Sequence, residues 1–573
     1  MSGQGSILGN SVLRREDPTL LTGSEKYYDD MEIDNLHVVH FVRSPFAHAN
    51  LGAIDTSAAE AVDGVVAVYT AANLEMAPFL GFAAFPPFLA RPPLAVGKVR
   101  FVGDIVAAVV ATSKEAAADA AELVDVDYDP LPSVTDPEEA MAEGAPVLFD
   151  DLGGNVVFPT SMGDGTALEG ADHVAECRIV SQRLAGVPME PNGCIAIPEG
   201  EHMTLWASSQ NPIAVREAIS GQLGIDAADL RVVAPAVGGG FGPKAGVYVE
   251  YLMAITMAKA LGVPVKWTEE RSENLVSLVH GRAMVLYAKL GLKSDGTIVG
   301  LDANVVADAG AYPAIGTILT TLTQQMSQGV YNIPKIDFNA TSCVTNTTTT
   351  GAYRGAGRPE ATQMLERVLD VAADELGIDP AEIRRKNFLQ PDQFPLTTLG
   401  GANYDSGEYE KALDAVLEAA GYQDLLAEQA ARRASGDAKQ LGIGVSSYVE
   451  VTAPIGLHVE YGKVEINDDG TVTGRVGTSA HGQGHITAFS MIISDMLGVP
   501  FDDITILQSD TDEIPRGAGT MGSRSLQTAG SAMHVASETV LERGKKLAAN
   551  MLEAAEGDIV VGQGGTTAKG SGH

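Results

Sequence analysis

Residues 351–358 read Gly351-Ala352-Tyr353-Arg354-Gly355-Ala356-Gly357-Arg358 and follow four threonines, Thr347 to Thr350. Two guanidiniums stand among small residues here. Arginine presents a planar fork of donors suited to oxyanions. Glycines let backbone N–H groups come close to an anion. The stretch is expected to be a rigid loop gripping a bulky anionic cofactor or substrate, with a plain surface turn as the alternative. A long helix is expected directly after it, over residues 359–376.

Outward from that loop, the chain has 573 residues, enough for two to four domains. Its 45% hydrophobic content and 63 glycines describe a globular, loop-rich protein. No run of about twenty apolar residues occurs, so no membrane span is expected. The first ten residues lack the apolar core of a secretory signal, and a cytoplasmic protein is expected. The formal charge of −36 argues against nucleic-acid binding, which needs a basic footprint. It fits a strongly hydrated surface or attraction to a basic partner. Cys177, Cys194 and Cys343 form no CxxC pair and cannot supply the four thiolates of an iron–sulfur cluster. Any electron relay is therefore expected on another chain.

Strand-like runs at residues 37–42, 105–111 and 124–128, with a helix over 113–123, describe a small α/β unit ending near Pro132. Residues 136–144 look like a connector. A larger unit follows from about Asp151, with strands at 174–181, 202–207 and 230–237 and helices at 212–223 and 248–261. The Pro/Gly-punctuated stretch 387–403 is a plausible boundary. Beyond it, strands are expected at 441–451, 458–466 and 471–476, then a helix over 487–497.

Three more glycine clusters share the character of the first. Gly238-Gly239-Gly240-Phe241-Gly242-Pro243-Lys244 sits between a strand and a helix but fits neither GxGxxG nor a P-loop. His481-Gly482-Gln483-Gly484-His485 sits at a helix start, where N–H groups face an anion. Its two histidines lack a third ligand, so oxyanion contact is the better reading. Gly519-Thr520-Met521-Gly522-Ser523-Arg524-Ser525 adds hydroxyls and a guanidinium. Four donor-rich, carboxylate-poor loops suggest one extended anionic ligand wrapped by all of them.

These motifs, in this order, resemble the molybdenum-binding large subunit of the xanthine oxidase group of molybdenum hydroxylases, in particular the aldehyde oxidase and carbon monoxide dehydrogenase large subunits. The resemblance extends over essentially the whole chain. It includes the opening signature from Arg14 to Asp30, then Arg43-Ser44-Pro45 with Ala47-His48, and Val102-Gly103-Asp104. It implies an α/β (α+β) architecture. A hammerhead-type α/β domain over 1–135 and a linker over 136–150 would precede two molybdenum-cofactor-binding domains, at 151–400 and, incomplete, at 401–573.

The resemblance also implies a function, oxygen insertion from water at an aldehyde or N-heteroaromatic carbon. The cofactor would be molybdenum on molybdopterin, in its cytosine dinucleotide form, with no protein side chain ligating the metal. Cofactor contacts would come from Gln210, Gly240, Phe241, Gly242, Arg354, Gly482, Gln483, Gly484, Gly522, Ser523 and Ser525. A [2Fe-2S] small subunit and an FAD-binding medium subunit would carry electrons away, in a dimer of heterotrimers.

Departures from the family bear on substrate. Carbon monoxide dehydrogenases carry a copper-binding cysteine where this chain has Gly355, so a molybdenum–copper site is not expected. Purine oxidisers carry a phenylalanine at Ala356, a glutamate at Ala245 and an arginine near Leu322. These four positions would line the substrate pocket, and xanthine is not expected. The family's general-base glutamate, in a Gly-Val-Gly-Glu context, is expected beyond residue 573. The chain is therefore expected to be a fragment, inactive by itself. The competing reading is a non-catalytic cofactor-binding or assembly component.

Overall fold

The strand Ile105–Ala111, Ile-Val-Ala-Ala-Val-Val-Ala, is buried at every position. An apolar run of that length without alternation suits a strand covered on both faces. It lies inside a seven-stranded sheet, between His37–Arg43 and Val65–Tyr69. The computed structural model describes residues 6–82, 84–453, 459–562 and 565–568. Helix Lys114–Ala121 covers this part of the sheet through Ala117, Ala120 and Ala121, and Ser113 caps it by accepting from Ala116 N at 3.1 Å.

The same sheet runs on into later sequence. His37–Arg43 pairs in parallel with Val265–Thr268, His37 opposite Val265. Beyond that seam come Gly193–Glu199, His202–Ala207 and Leu230–Val233. The N-terminal unit and the unit after it thus share one sheet. Helix Val249–Leu261 lies on it, buried on nearly all sides. Its Glu250 pairs with Arg43, which also pairs with Glu273, so a buried ion cluster spans the seam. Residues 136–150, expected as a linker, include the short helix Pro137–Ala140 and bury Leu148 and Phe149 in a cluster with Tyr312.

A second sheet orders Val156–Met162, Ile336–Cys343, Ile298–Asp308, Met284–Leu292 and His173–Ser181. Helix Arg358–Leu376 packs across it with Met364, Leu365, Val368, Leu369 and Ala372 inward. That i, i+4 spacing is one helical stripe. The last unit has strands Gly462–Ile466, Val472–Val476 and Ile504–Leu507 under helices His485–Leu497 and Ser531–Met551. The opening signature clamps this unit. Arg15 Nη1 donates to Ser490 Oγ at 3.0 Å and to Ile504 O, and Glu16 accepts from Thr487 N at 3.1 Å.

Three expected strands come out differently. Residues 441–451 alternate between half-buried and exposed, as a strand does, and Ile443, Val445 and Val449 rest on the core. Among the described residues they have no ladder partner, so the alternation marks the buried face without a sheet. The expected 458–466 strand starts only at Gly462, and His458 lies outside the described residues. The strand expected over 230–237 ends at Val233. No helix among the described residues is long and apolar enough to cross a membrane.

Candidate functional site

All four glycine-cluster loops reach one cavity of about 1240 Å³. Its wall includes Gln210, Phe241, Gly242, Ala245, Arg354, Gly355, Ala356, Gln483, Gly522, Ser523 and Ser525, eleven of the positions singled out in the sequence. Gly240, Gly482, Gly484 and Leu322 stand behind that wall. Gly240 packs so tightly on Gln210 that a Cβ there would lie 2.4 Å from Oε1. Gly482 O accepts from Arg14 Nη2 at 3.2 Å, and Gly484 is the N-cap of helix His485–Leu497. Leu322, on helix Thr320–Gln325, packs beneath Gly357 and does not line the cavity.

Gln210 holds two of the loops together. Its Oε1 accepts from Gly242 N at 2.8 Å and its Nε2 donates to Thr520 O at 2.8 Å. Its backbone accepts from Thr520 N at 3.0 Å and donates to Lys244 O at 2.9 Å. The amide is thus a brace, with the second N–H of Nε2 left over for a ligand. Phe241 takes a left-handed φ of 56° and accepts from Arg354 N at 2.8 Å, joining the 238–244 loop to the 351–358 loop. At Gly242 (φ 107°) an added Cβ would stand 2.3 Å from Ala352 O, so the two loops meet only because this residue is glycine.

The two guanidiniums of the 351–358 loop have separate roles, which corrects their joint reading as an anion grip. Arg358 is buried and turned inward. It donates to Gly355 O, to Val451 O at 2.7 Å, and pairs with Glu450 at 3.4 Å. Arg354 is exposed to the cavity, with its guanidinium 5.9 Å from the Phe241 ring centre. Among the described residues it makes no side-chain hydrogen bond and no ion pair. Arg91, which lines the wall along with Arg354 and Arg358, stands 3.7 Å from Asp104. Glu450 is the one carboxylate among the lining residues, and Arg358 and Ser523 Oγ (3.2 Å) engage it. Among the described residues, one uncompensated positive charge therefore faces the cavity.

The histidines of the 481–485 loop are held neutral. Burial lowers the pKa of His481, and lowers that of His485 to about 4. His485 Nδ1 donates to Gln508 Oε1 (3.1 Å) and Nε2 accepts from Gln483 Nε2 (2.9 Å), the arrangement of an uncharged ring. No group of three His, Cys, Asp or Glu side chains among the described residues could hold a metal ion. Cys194 and Cys343 are buried and Cys177 is half-buried, and burial raises all three thiol pKa values, that of Cys177 to about 11.

Several wall residues carry no sequence signal. Phe79, Phe82, Leu89 and Arg91 come from the N-terminal unit, and Tyr312 and Ile315 from a loop beyond strand Ile298–Asp308. Glu190, behind the wall, carries none either: its carboxylate accepts from Lys244 Nζ, Ser208 Oγ and Gly238 N at 3.0, 2.6 and 2.8 Å. These side chains converge only through the tertiary fold, and no local motif marks them.

Comparison with known families places matching segments along the chain. Residues 22–132 match the aldehyde oxidase and xanthine dehydrogenase a/b hammerhead domain. Residues 148–388 and 415–573 each match a molybdopterin cofactor-binding domain. The carbon monoxide dehydrogenase large chain of Hydrogenophaga pseudoflava is 37% identical over 95% of this chain and 72% of its own length. The nicotine 6-hydroxylase large subunit of Paenarthrobacter nicotinovorans is 34% identical over 98% of this chain and 71% of its own. Quinoline 2-oxidoreductase of Pseudomonas putida 86 superposes with a TM-score of 0.93 at 34% identity, covering 98% of this chain and 74% of that one.

Proposed function

Because the chain belongs to the xanthine oxidase family of molybdenum hydroxylases, as a molybdenum-binding large subunit, we propose that the 1240 Å³ cavity holds a molybdopterin dinucleotide beside an organic substrate. The observation that carries this reading is the convergence of four donor-rich loops on the unpaired Arg354 guanidinium, with a single, already engaged carboxylate in the wall. Such a lining suits a large polyanion. When bound, that group supplies a redox metal centre that takes two electrons from substrate as an oxygen from water is added.

The chain's own residues bind and orient. Arg354 would offset anionic charge at the metal end of the cofactor. The free N–H of Gln210 and the backbone around Phe241 and Gly242 would face the same end. Gln483, Gly522, Ser523 and Ser525 would donate to pterin and pyrophosphate oxygens, with Gly240, Gly482 and Gly484 shaping the loops that present them. The apolar walls from Phe79, Phe82, Leu89 and Tyr312 would exclude water around the substrate.

The substrate we propose is an aldehyde or an N-heteroaromatic ring. Gly355 leaves no side chain for a copper ligand. Ala356 and Ala245 open space where purine oxidisers place a ring and a carboxylate. Two of the three relatives compared are named for N-heteroaromatic substrates, nicotine and quinoline. Electrons would pass to a [2Fe-2S] small subunit and an FAD medium subunit in the cytoplasm, and the cofactor would be the cytosine dinucleotide form.

Metal and pterin analysis of the complex isolated from its host, followed by a dye-reduction screen of aldehydes and N-heterocycles, tests this. Stoichiometric molybdenum with turnover of a member of either class is expected. Absence of both molybdenum and pterin would overturn it.

A further inference from the structure

The 351–358 loop hangs on a side chain that belongs to none of the glycine clusters. Arg282 Nη1 donates to Tyr353 O at 2.9 Å and Nη2 to Arg354 O at 2.7 Å, so one guanidinium holds two successive carbonyls. Its Cζ lies 5.1 Å from the Tyr353 ring centre. The same Nη1 also lies 3.5 Å from the carboxylate of Glu360, which is 1% exposed in the first turn of helix Arg358–Leu376. The backbone that aims it is unusual. Arg282 and Ala283 have φ of 62° and 61°, consecutive non-glycine residues in the left-handed region, just before strand Met284–Leu292 begins. Such conformations persist where the surroundings over-determine them, and they gather at functional sites.

We propose that Arg282, anchored by Glu360, is the positioning residue that fixes Arg354 and the Gly355–Ala356 wall toward the cavity. This rests on the functional reading above. The planar fork of arginine matches two carbonyls at once, whereas a lysine ammonium, a point donor, would hold one carbonyl or the Glu360 carboxylate but not all three. With Tyr353 O and Arg354 O fixed and Arg354 N bonded to Phe241 O, the Tyr353–Arg354 peptide cannot rotate. The Arg354 side chain therefore leaves the loop in one direction.

The test uses Arg282→Lys, Arg282→Gln and Glu360→Gln in the complex from the native host. Molybdenum per chain, the Mo(V) paramagnetic resonance spectrum, Tm, and kcat and KM for a substrate found in the screen are measured. Arg282→Lys is expected to keep its molybdenum, to show an altered Mo(V) spectrum, and to lose about tenfold in kcat at nearly unchanged KM. Glu360→Gln should shift the spectrum the same way with a smaller loss. A wild-type spectrum and kcat in Arg282→Lys overturn the proposal, as does loss of molybdenum in step with Tm, the mark of a merely structural role. Should Arg282→Lys and Arg282→Gln both fail to fold, Glu360→Gln decides by the same spectrum. A wild-type complex without molybdenum would instead sink the functional reading itself.

Discussion

Lys244 Nζ donates to the backbone carbonyl of Glu190 at 2.8 Å and pairs with its carboxylate at 3.0 Å, in a side chain that is fully buried. The lysine that made residues 238–244 look like a failed P-loop thus binds no phosphate. It pins that loop to the 184–191 segment from inside. Burial lowers the Lys244 pKa, and the Glu190 charge holds it up against that. Removing one partner leaves the other charge buried alone, which costs about 3–5 kcal/mol. Lys244→Met and Glu190→Gln should each destabilise the protein on that scale in urea unfolding. The double variant should recover part of the loss. Additive losses would mean the two groups do not act as a pair.

Gly355 sits where the loop has no room for a side chain. Its φ is +104°, and a Cβ built there would lie 2.2 Å from Pro359 Cγ and 2.5 Å from Cδ. The proline ring cannot swing aside as a flexible side chain would. Gly355→Ala should cost about 1–3 kcal/mol from backbone strain alone, with the clash added. Gly355→Cys should fail to confer carbon monoxide oxidation even with copper supplied. A stable Gly355→Cys protein with unchanged Tm would refute this account of the position.

His485 gives the site a pH dependence whose sign is fixed by its burial. Its pKa in the folded protein is about 4, against about 6.5 when unfolded. Between those values the unfolded chain takes up the extra proton. Stability is therefore fully present above about pH 6.5 and falls as pH drops toward 4, by about 3 kcal/mol in order of magnitude. His280, also lowered to about 4 by burial and then by Arg183, adds to the same window. Unfolding free energies of wild type and His485→Gln between pH 4 and 8 isolate one ring. The difference between them should change across pH 4 to 6.5 and level off above it. A difference independent of pH would show that His485 titrates alike in the folded and the unfolded chain.

How much of this was legible in the sequence differs by scale. Strands such as residues 105–111 and 202–207, and helix 212–223, are read from runs and spacing alone because burial imposes the pattern locally. Residues 441–451 show the limit: their alternation reports a buried face, while a sheet also needs a partner that no local signal supplies. The glycine loops could be found because close backbone approach restricts residue type. Arg354 and Arg358 looked equivalent because both lie in one motif. What separates them is a carbonyl at Val451 and a carboxylate at Glu450, some ninety residues away. Glu190, Arg282 and Phe79 acquire roles only when distant segments meet, and no spacing rule reaches that far.

Gln210 offers the sharpest test of the site's assembly, because one side chain closes two loops. Gln210 is 2% exposed, and its removal leaves Gly242 N and Thr520 O without these partners at the cavity wall. Each orphaned group costs about 1–3 kcal/mol. Gln210→Ala should lower stability by a few kcal/mol and release cofactor on gel filtration, since the 238–244 and 519–525 loops lose their common brace. Gln210→Glu separates bracing from packing at constant size. Its carboxylate can still accept from Gly242 N but faces the Thr520 carbonyl without a proton to give. At pH 8 it should behave like the alanine variant. As pH falls through the carboxyl's titration, the protonated acid can donate to Thr520 O again and cofactor retention should recover. Retention of molybdenum by Gln210→Glu at pH 8 would show that the loops close without this bridge.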